Sequence, residues 1–367
     1  MSADPLAGLL LVGFPGTVAD SHEVRDRIAL GVGGWIIFGR NVESPAQVAR
    51  LLADLSKLSV SPPLLAVDQE GGRVARLRAP LTVWPPMGAL GDQDDPDLAR
   101  TVGSALAKEI RAVGFNLDFA PVLDVNSHAE NPVIGDRALG SDRDQVVRLA
   151  VPLLEGIQSV GVAACAKHFP GHGHVDVDSH YGLPVCRLSR AELDDHIAPF
   201  QAAIEAGVAS VMTAHVVYPA VDPNNPATLS SAWIDGVLRG DLGFDGAVLT
   251  DDMEMGAIVN EGGIGDAAVR AVRAGVDGIL ICHRLDRMEA AVSALRAEAN
   301  RDPAFASRCE RSLERLNRLA LSYPPAPVAP DELVRHIGVH SDLADSLQSD
   351  VLASRDPTAF APQTGQG

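Results

Sequence analysis

The chain has 367 residues, of which 46% are hydrophobic and only 4% aromatic, so Ala, Val and Leu must fill a sizeable close-packed core. Its 30 basic and 48 acidic residues leave a net charge of −18. That balance excludes the clustered positive surface that nucleic acids and anionic membranes require.

The first apolar run, Gly8-Leu9-Leu10-Leu11-Val12-Gly13-Phe14, reads as a strand stopped by Pro15-Gly16. It is far too short to cross a bilayer, and no basic segment of a signal peptide precedes it, so a cytoplasmic protein is expected. A second run, Gly34-Trp35-Ile36-Ile37-Phe38, ends at Gly39-Arg40-Asn41. Ser44 as cap and Pro45 in the first turn then open a helix with Val48, Leu51, Leu52 and Leu55 on one face. A third strand, Leu64 to Val67, runs into Asp68-Gln69-Glu70-Gly71-Gly72-Arg73, where Glu70 is expected to cap the Gly71-Gly72 turn. Asn116 to Phe119 leads to Ala120-Pro121-Val122-Leu123-Asp124, and Val162 to Ala166 closes into a polar loop. Ser189-Arg190-Ala191-Glu192 is a capping box ahead of Leu193, Ile197, Phe200 and Ile204. Ser210 to Ala214 ends at His215, Gly246 to Thr250 at Asp251-Asp252, and Gly278 to Cys282 at His283-Arg284.

These are eight short strands, apolar on both faces, with helical patterns between them. Such strands are covered on both sides, so the sheet is parallel, and eight βα units predict an α/β fold, a closed (β/α)8 or TIM barrel. An open doubly wound sheet is the alternative. The barrel is expected over residues 1–323. A Pro-rich segment and C-terminal helix follow over 324–352, and 353–367 have the composition of a flexible tail. Cys165, Cys186, Cys282 and Cys309 lie far apart with no Cys-x-x-Cys pair, so structural disulfides are not expected.

Polar residues recur at one end of the strands: Asp68, Asp124, Lys167-His168, His215 and Asp251. That is the end where barrel enzymes keep their chemistry. The richest stretch is Lys167-His168-Phe169-Pro170-Gly171-His172-Gly173-His174-Val175-Asp176-Val177-Asp178-Ser179-His180. Its Pro and Gly residues bend the backbone, so side chains distant along it can converge. Asp178 and His180 are close enough for the carboxylate to orient the imidazole and ready it as general acid and base. Asp251, at a strand's tip, is suited to act as a nucleophile, a metal ligand or a structural anion. Asp252 is expected to point elsewhere if the strand stays extended.

Two mechanisms fit these residues. In one, Asp251 attacks an anomeric carbon while the Asp178–His180 pair protonates the leaving oxygen. In the other, His168, His172, His174 and His215 bind divalent metals with Asp251. The loop's broken backbone gives no two histidines a helical ligand spacing, and Lys167 would repel a cation.

Lys167-His168-Phe169-Pro170-Gly171-His172-Gly173 followed by Asp178-Ser179-His180 resembles the signature of family 3 glycoside hydrolases, and more narrowly their single-domain β-N-acetylhexosaminidase (NagZ-type) branch. Val67 to Val74, Asp118 to Val125, Val133 to Arg137, Met212 to Val216, Pro226 to Ser230 and Leu249 to Met253 extend the similarity over roughly residues 8 to 320. The resemblance implies Asp251 as nucleophile, His180 as acid/base and Asp178 as its partner. It also implies Asp68, Arg76, Arg137, Lys167 and His168 as residues that bind the sugar's hydroxyls. A metal-independent, cofactor-free, monomeric retaining enzyme is expected, releasing N-acetylglucosamine from peptidoglycan-derived muropeptides. A family 3 β-glucosidase or mixed β-hexosidase is the nearer alternative, and a metal-dependent barrel hydrolase the remoter one. Because a neutral imidazole does not repel an anion as a carboxylate would, phosphorolysis is a further expectation.

Overall fold

The computed structural model describes residues 4–175, 183–259 and 263–347. Eight parallel strands close into a barrel: β1 (Leu10–Val12), β2 (Gly34–Ile37), β3 (Leu64–Val67), β4 (Leu117–Asp118), β5 (Ala163–Phe169), β6 (Ser210–Thr213), β7 (Ala247–Asp252) and β8 (Gly278–Ile281). Each strand pairs with its neighbours in sequence, and β8 closes on β1 through Leu10↔Ile279. The predicted TIM barrel is therefore the observed fold. Every residue of β1 to β6 and of β8 is buried, as strands sandwiched between a packed interior and an outer layer of helices must be.

Two details depart from the apolar pattern. Residues Pro5–Leu9 form a 3-10 turn capped by Asp4, so only the middle of the first apolar run, Leu10–Val12, is strand. At β5 the strand continues past Ala166 to Phe169, carrying Lys167 and His168 inside it.

The helices begin where capping chemistry places them. Ser44 Oγ accepts the Gln47 N–H at the start of Pro45–Leu58, which buries Val48, Leu51, Leu52 and Leu55. Burial of each such Leu or Val contributes about 1.5–3 kcal/mol. The Ser189–Glu192 capping box opens Arg190–Glu205. At the opposite end from the polar strand tips, Asn116 ties the barrel floor together. Its Oδ1 accepts the Leu65 N–H, and its Nδ2 donates to the carbonyls of Pro63 and Tyr323. The segment after Tyr323 packs back on the barrel through buried Leu333, Ile337, Ala344 and Leu347, with a short helix at Ser341–Ser346. No helix among the described residues is long and apolar enough to cross a membrane.

Candidate active site

All the polar residues noted at strand ends lie at the C-terminal mouth of the barrel. One pocket there is lined by Asp68, Arg76, Arg137, Lys167, His168 and Asp251, six of the eight residues expected to act on substrate. The other two, Asp178 and His180, lie outside the described residues.

Asp68 directly follows β3. Its Oδ1 accepts from Lys167 Nζ (2.9 Å) and its Oδ2 from Arg76 Nη2 (3.0 Å). Burial pushes this carboxyl up, but Lys167 and Arg76 outweigh it and hold Asp68 below its ordinary value. Behind it sits a second carboxylate, Glu70. Arg137 grips Glu70 in a two-pronged pair, Nε to Oε2 and Nη2 to Oε1 at 2.8 Å each, while Lys167 Nζ lies 2.6 Å from Oε1. Glu70 is therefore a member of a buried ion network and not a turn cap. Its side chain is only 4% exposed, and only ion pairing makes so buried a charge tolerable. Lys167 bridges both carboxylates, and they push its ammonium above the ordinary value despite burial. Asp68 and Glu70 thus fix three cations in a fan around the pocket, ready to donate short, directional bonds to hydroxyls.

Removing Glu70 should be costly, because it strands Arg137 and part of Lys167's charge in the interior. We expect Glu70→Ala to lower stability by about 3–5 kcal/mol, read from denaturant midpoints against wild type. A loss under about 1 kcal/mol would mean that the pair behaves like a solvated surface ion pair.

His168 is held by Asp124, in the loop after β4. Asp124 Oδ2 lies 2.7 Å from His168 Nδ1, and its Oδ1 accepts the N–H groups of His168 (3.2 Å) and His172 (2.6 Å). Burial acts against the Asp124 charge, but His168 overcomes it and the carboxyl stays below its ordinary value. His172 is buried, and desolvation, aided by neighbouring His168, lowers it to about 4, so it is uncharged at neutral pH. In β5 the register shifts between Ala166 and Phe169 and the Lys167–His168 peptide is cis; both side chains line the same pocket. The glycines beyond are required by close packing. A Cβ at Gly173 would stand 1.9 Å from the Val125 carbonyl oxygen.

Asp251 ends β7. The Asp252 N–H donates to its Oδ1 (2.7 Å), fixing the carboxylate at the pocket wall. Asp252 itself does not turn away. The β7–β8 register shifts between Leu249 and Asp252, breaking the alternation of an extended strand, and both carboxyls line the pocket. His283, two residues past the end of β8, lines it as well, with Phe38, Met255 and Leu280. His283 follows the same strand-end rule that selected Asp68 and His215, so its position was readable from the sequence.

The histidine set of the metal reading is only partly gathered: His168 and His172 share the pocket with Asp251, but His174 and His215 do not line it. His168 faces Asp124, His174 Nδ1 lies 2.8 Å from Ser127 Oγ, and His215 is engaged by Thr228 Oγ1 and the Asp252 carbonyl. Among the described residues Asp252, Glu254 and His283 bring donor atoms within 4.8 Å of one another. Arg287 Nη1 already stands 3.2 Å from Glu254, and Arg40 adds positive charge beside both carboxyls, which opposes a bound dication.

Residues 4–318 match the glycosyl hydrolase family 3 N-terminal domain. The chain belongs to glycosyl hydrolase family 3. This family 3 hydrolase is 42% identical over 301 residues to the β-hexosaminidase of Nitrosomonas eutropha, covering 79% of this chain and 85% of that one. Among solved structures it is similar to a family 3 β-N-acetylglucosaminidase from Paenibacillus sp. str. FPU-7, with TM-score 0.86 and 42% identity, covering 94% of this chain and 67% of that chain. It is also similar to NagZ from Neisseria gonorrhoeae in complex with N-trifluoroacetyl-D-glucosamine, with TM-score 0.71 and 32% identity, covering 85% and 98%.

Proposed function

We propose that this family 3 hydrolase is a retaining exo-β-N-acetylglucosaminidase that removes terminal N-acetylglucosamine from peptidoglycan-derived muropeptides in the cytoplasm. The observation that carries the reading is the placement of Asp251, at the tip of β7, in one pocket with Asp68, Arg76, Arg137, Lys167 and His168. Ionised donors and acceptors fixed before the sugar arrives suit an uncharged, hydroxyl-rich ring. The relatives named for β-hexosaminidase activity, and the relative holding an N-acylated glucosamine, support an N-acetylated sugar.

The reaction runs in two displacements. Asp251 Oδ attacks the anomeric carbon as the glycosidic bond breaks, and the His180 imidazolium gives its proton to the departing oxygen. Asp178 orients that ring. The sugar is then held as an ester of Asp251. His180, now neutral, takes a proton from water as the water oxygen attacks the same carbon, releasing the sugar and the carboxylate. No step calls for a metal ion.

A pair of chromogenic substrates tests the proposal. We expect kcat/KM for 4-nitrophenyl N-acetyl-β-glucosaminide to exceed that for the β-glucoside by at least about tenfold, the scale on which one added group is discriminated. We expect both rates to be unaffected by a chelator. A preference for the glucoside would give the β-glucosidase reading, and loss of activity in chelator the metal-dependent one.

A further inference from the structure

Asp252 takes no part in the two displacements, yet its carboxyl shares the pocket with the nucleophile. Its backbone is fixed on both sides: the N–H donates to Asp251 Oδ1 (2.7 Å), and the carbonyl accepts from His215 Nε2 (3.1 Å). The carboxyl is met by the Glu254 N–H, the His283 ring and the Cys282 thiol. Oδ1 accepts the Glu254 N–H (3.0 Å), and Oδ2 lies 3.6 Å from His283 Nε2. Arg40 adds positive charge nearby, but it and Arg287 direct their described bonds to other groups. Arg40 donates through Nε to the Phe14 carbonyl and through Nη2 to the Cys282 carbonyl, with its guanidinium 4.4 Å over the Phe38 ring. Arg287 is held by Glu254.

We propose that Asp252 is a proton-coupled positioning residue for Asp251, whose carboxyl is uncharged when a sugar fills the pocket, so that binding takes up a proton and weakens as the pH rises. The inference rests on the reading that the pocket receives N-acetylglucosamine. A bound sugar takes solvent from a carboxyl only 16% exposed, and among the described residues no Arg or Lys is bonded to it to offset that loss.

The surrounding groups set the sign and the pH window. From its own segment Asp252 faces Asp251 and Glu254, from the end of β8 Cys282 and His283, and from beyond β2 Arg40. His215 faces its carbonyl, and Arg287 acts through Glu254. Burial, and then repulsion by Glu254, already raise Asp252 to about 7. His283 is lowered by burial, Arg40 and Arg287 to about 4, and burial pushes the Cys282 thiol well above its ordinary value, so both are neutral in this range. Further desolvation by the sugar raises Asp252 in the complex above its value in the free enzyme. Affinity is therefore complete below about pH 7 and declines above it, by up to about tenfold per pH unit, until the complex itself ionises.

Calorimetric titration of N-acetylglucosamine at pH 7, in two buffers of different ionisation enthalpy, separates this coupling from other titrations at the site. Wild type should take up about half a proton more than Asp252→Asn, and its Kd should rise about tenfold between pH 6 and 8 relative to the variant. Glu254→Gln, which keeps Asp252 but removes the repelling charge, should move the onset of that rise to lower pH. Equal proton uptake with parallel Kd curves, or an onset unmoved in Glu254→Gln, would overturn the inference while leaving the hydrolase reading intact. Failure of N-acetylglucosamine to bind at any pH would overturn that reading and this inference with it.

Discussion

Asp251→Ala is expected to abolish glycosyl transfer while leaving the fold in place. The carboxylate stands near the end of β7 and accepts, among its contacts, the N–H of Asp252. Each such hydrogen bond contributes about 0.5–1.5 kcal/mol, a small fraction for a barrel with so large a buried core. Nothing in the pocket can replace the nucleophile. Asp252 is tied to Glu254 and His283, and Asp68 is pinned between Lys167 and Arg76. We therefore expect kcat/KM to fall at least about a thousandfold, roughly 4 kcal/mol of transition-state stabilisation, with thermal midpoints nearly unchanged. A fall of less than about tenfold would show that another group forms the covalent bond.

The second large effect is expected at His180, and its size should depend on the leaving group. An aglycone such as dinitrophenolate departs without a proton, whereas a sugar alkoxide does not. General acid help is worth about 10²–10⁴-fold where the proton is needed. His180→Ala should lose close to that factor on natural-type aglycones and far less in the first step with dinitrophenyl glycosides. The ester on Asp251 should then accumulate, because the base for the second step is missing. Azide, which needs no base, should restore turnover and yield the glycosyl azide. Equal losses on good and poor leaving groups would remove His180 from the proton-donor role.

The architecture was legible because a parallel barrel imposes a simple code. Apolar residues dominate short strands covered on both faces, and titratable residues gather at their catalytic ends. Asp68, His215 and Asp251 were found that way. What escaped was what depends on contacts remote in sequence or on a broken period. Glu70 beside Gly71-Gly72 looks like a turn residue, and nothing local says that Arg137 and Lys167 fold back onto it. Asp252 would point elsewhere only on a regular extended strand, and the shift in pairing between Leu249 and Asp252 removes that condition. Likewise β5 keeps its strand through Lys167 and His168, whose polarity reads as loop; Asp124 and the Asp68–Glu70 pair supply the partners that let them be buried.

The central claim is that a sugar carbon becomes covalently bonded to Asp251. A fluorinated N-acetylglucosaminyl fluoride, whose second displacement is slowed more than its first, should inactivate the enzyme, and peptide mapping should place the added mass on the peptide containing Leu249-Thr250-Asp251-Asp252-Met253 at Asp251. Label on any other residue, or steady turnover of the reagent with no labelled peptide, would contradict the account.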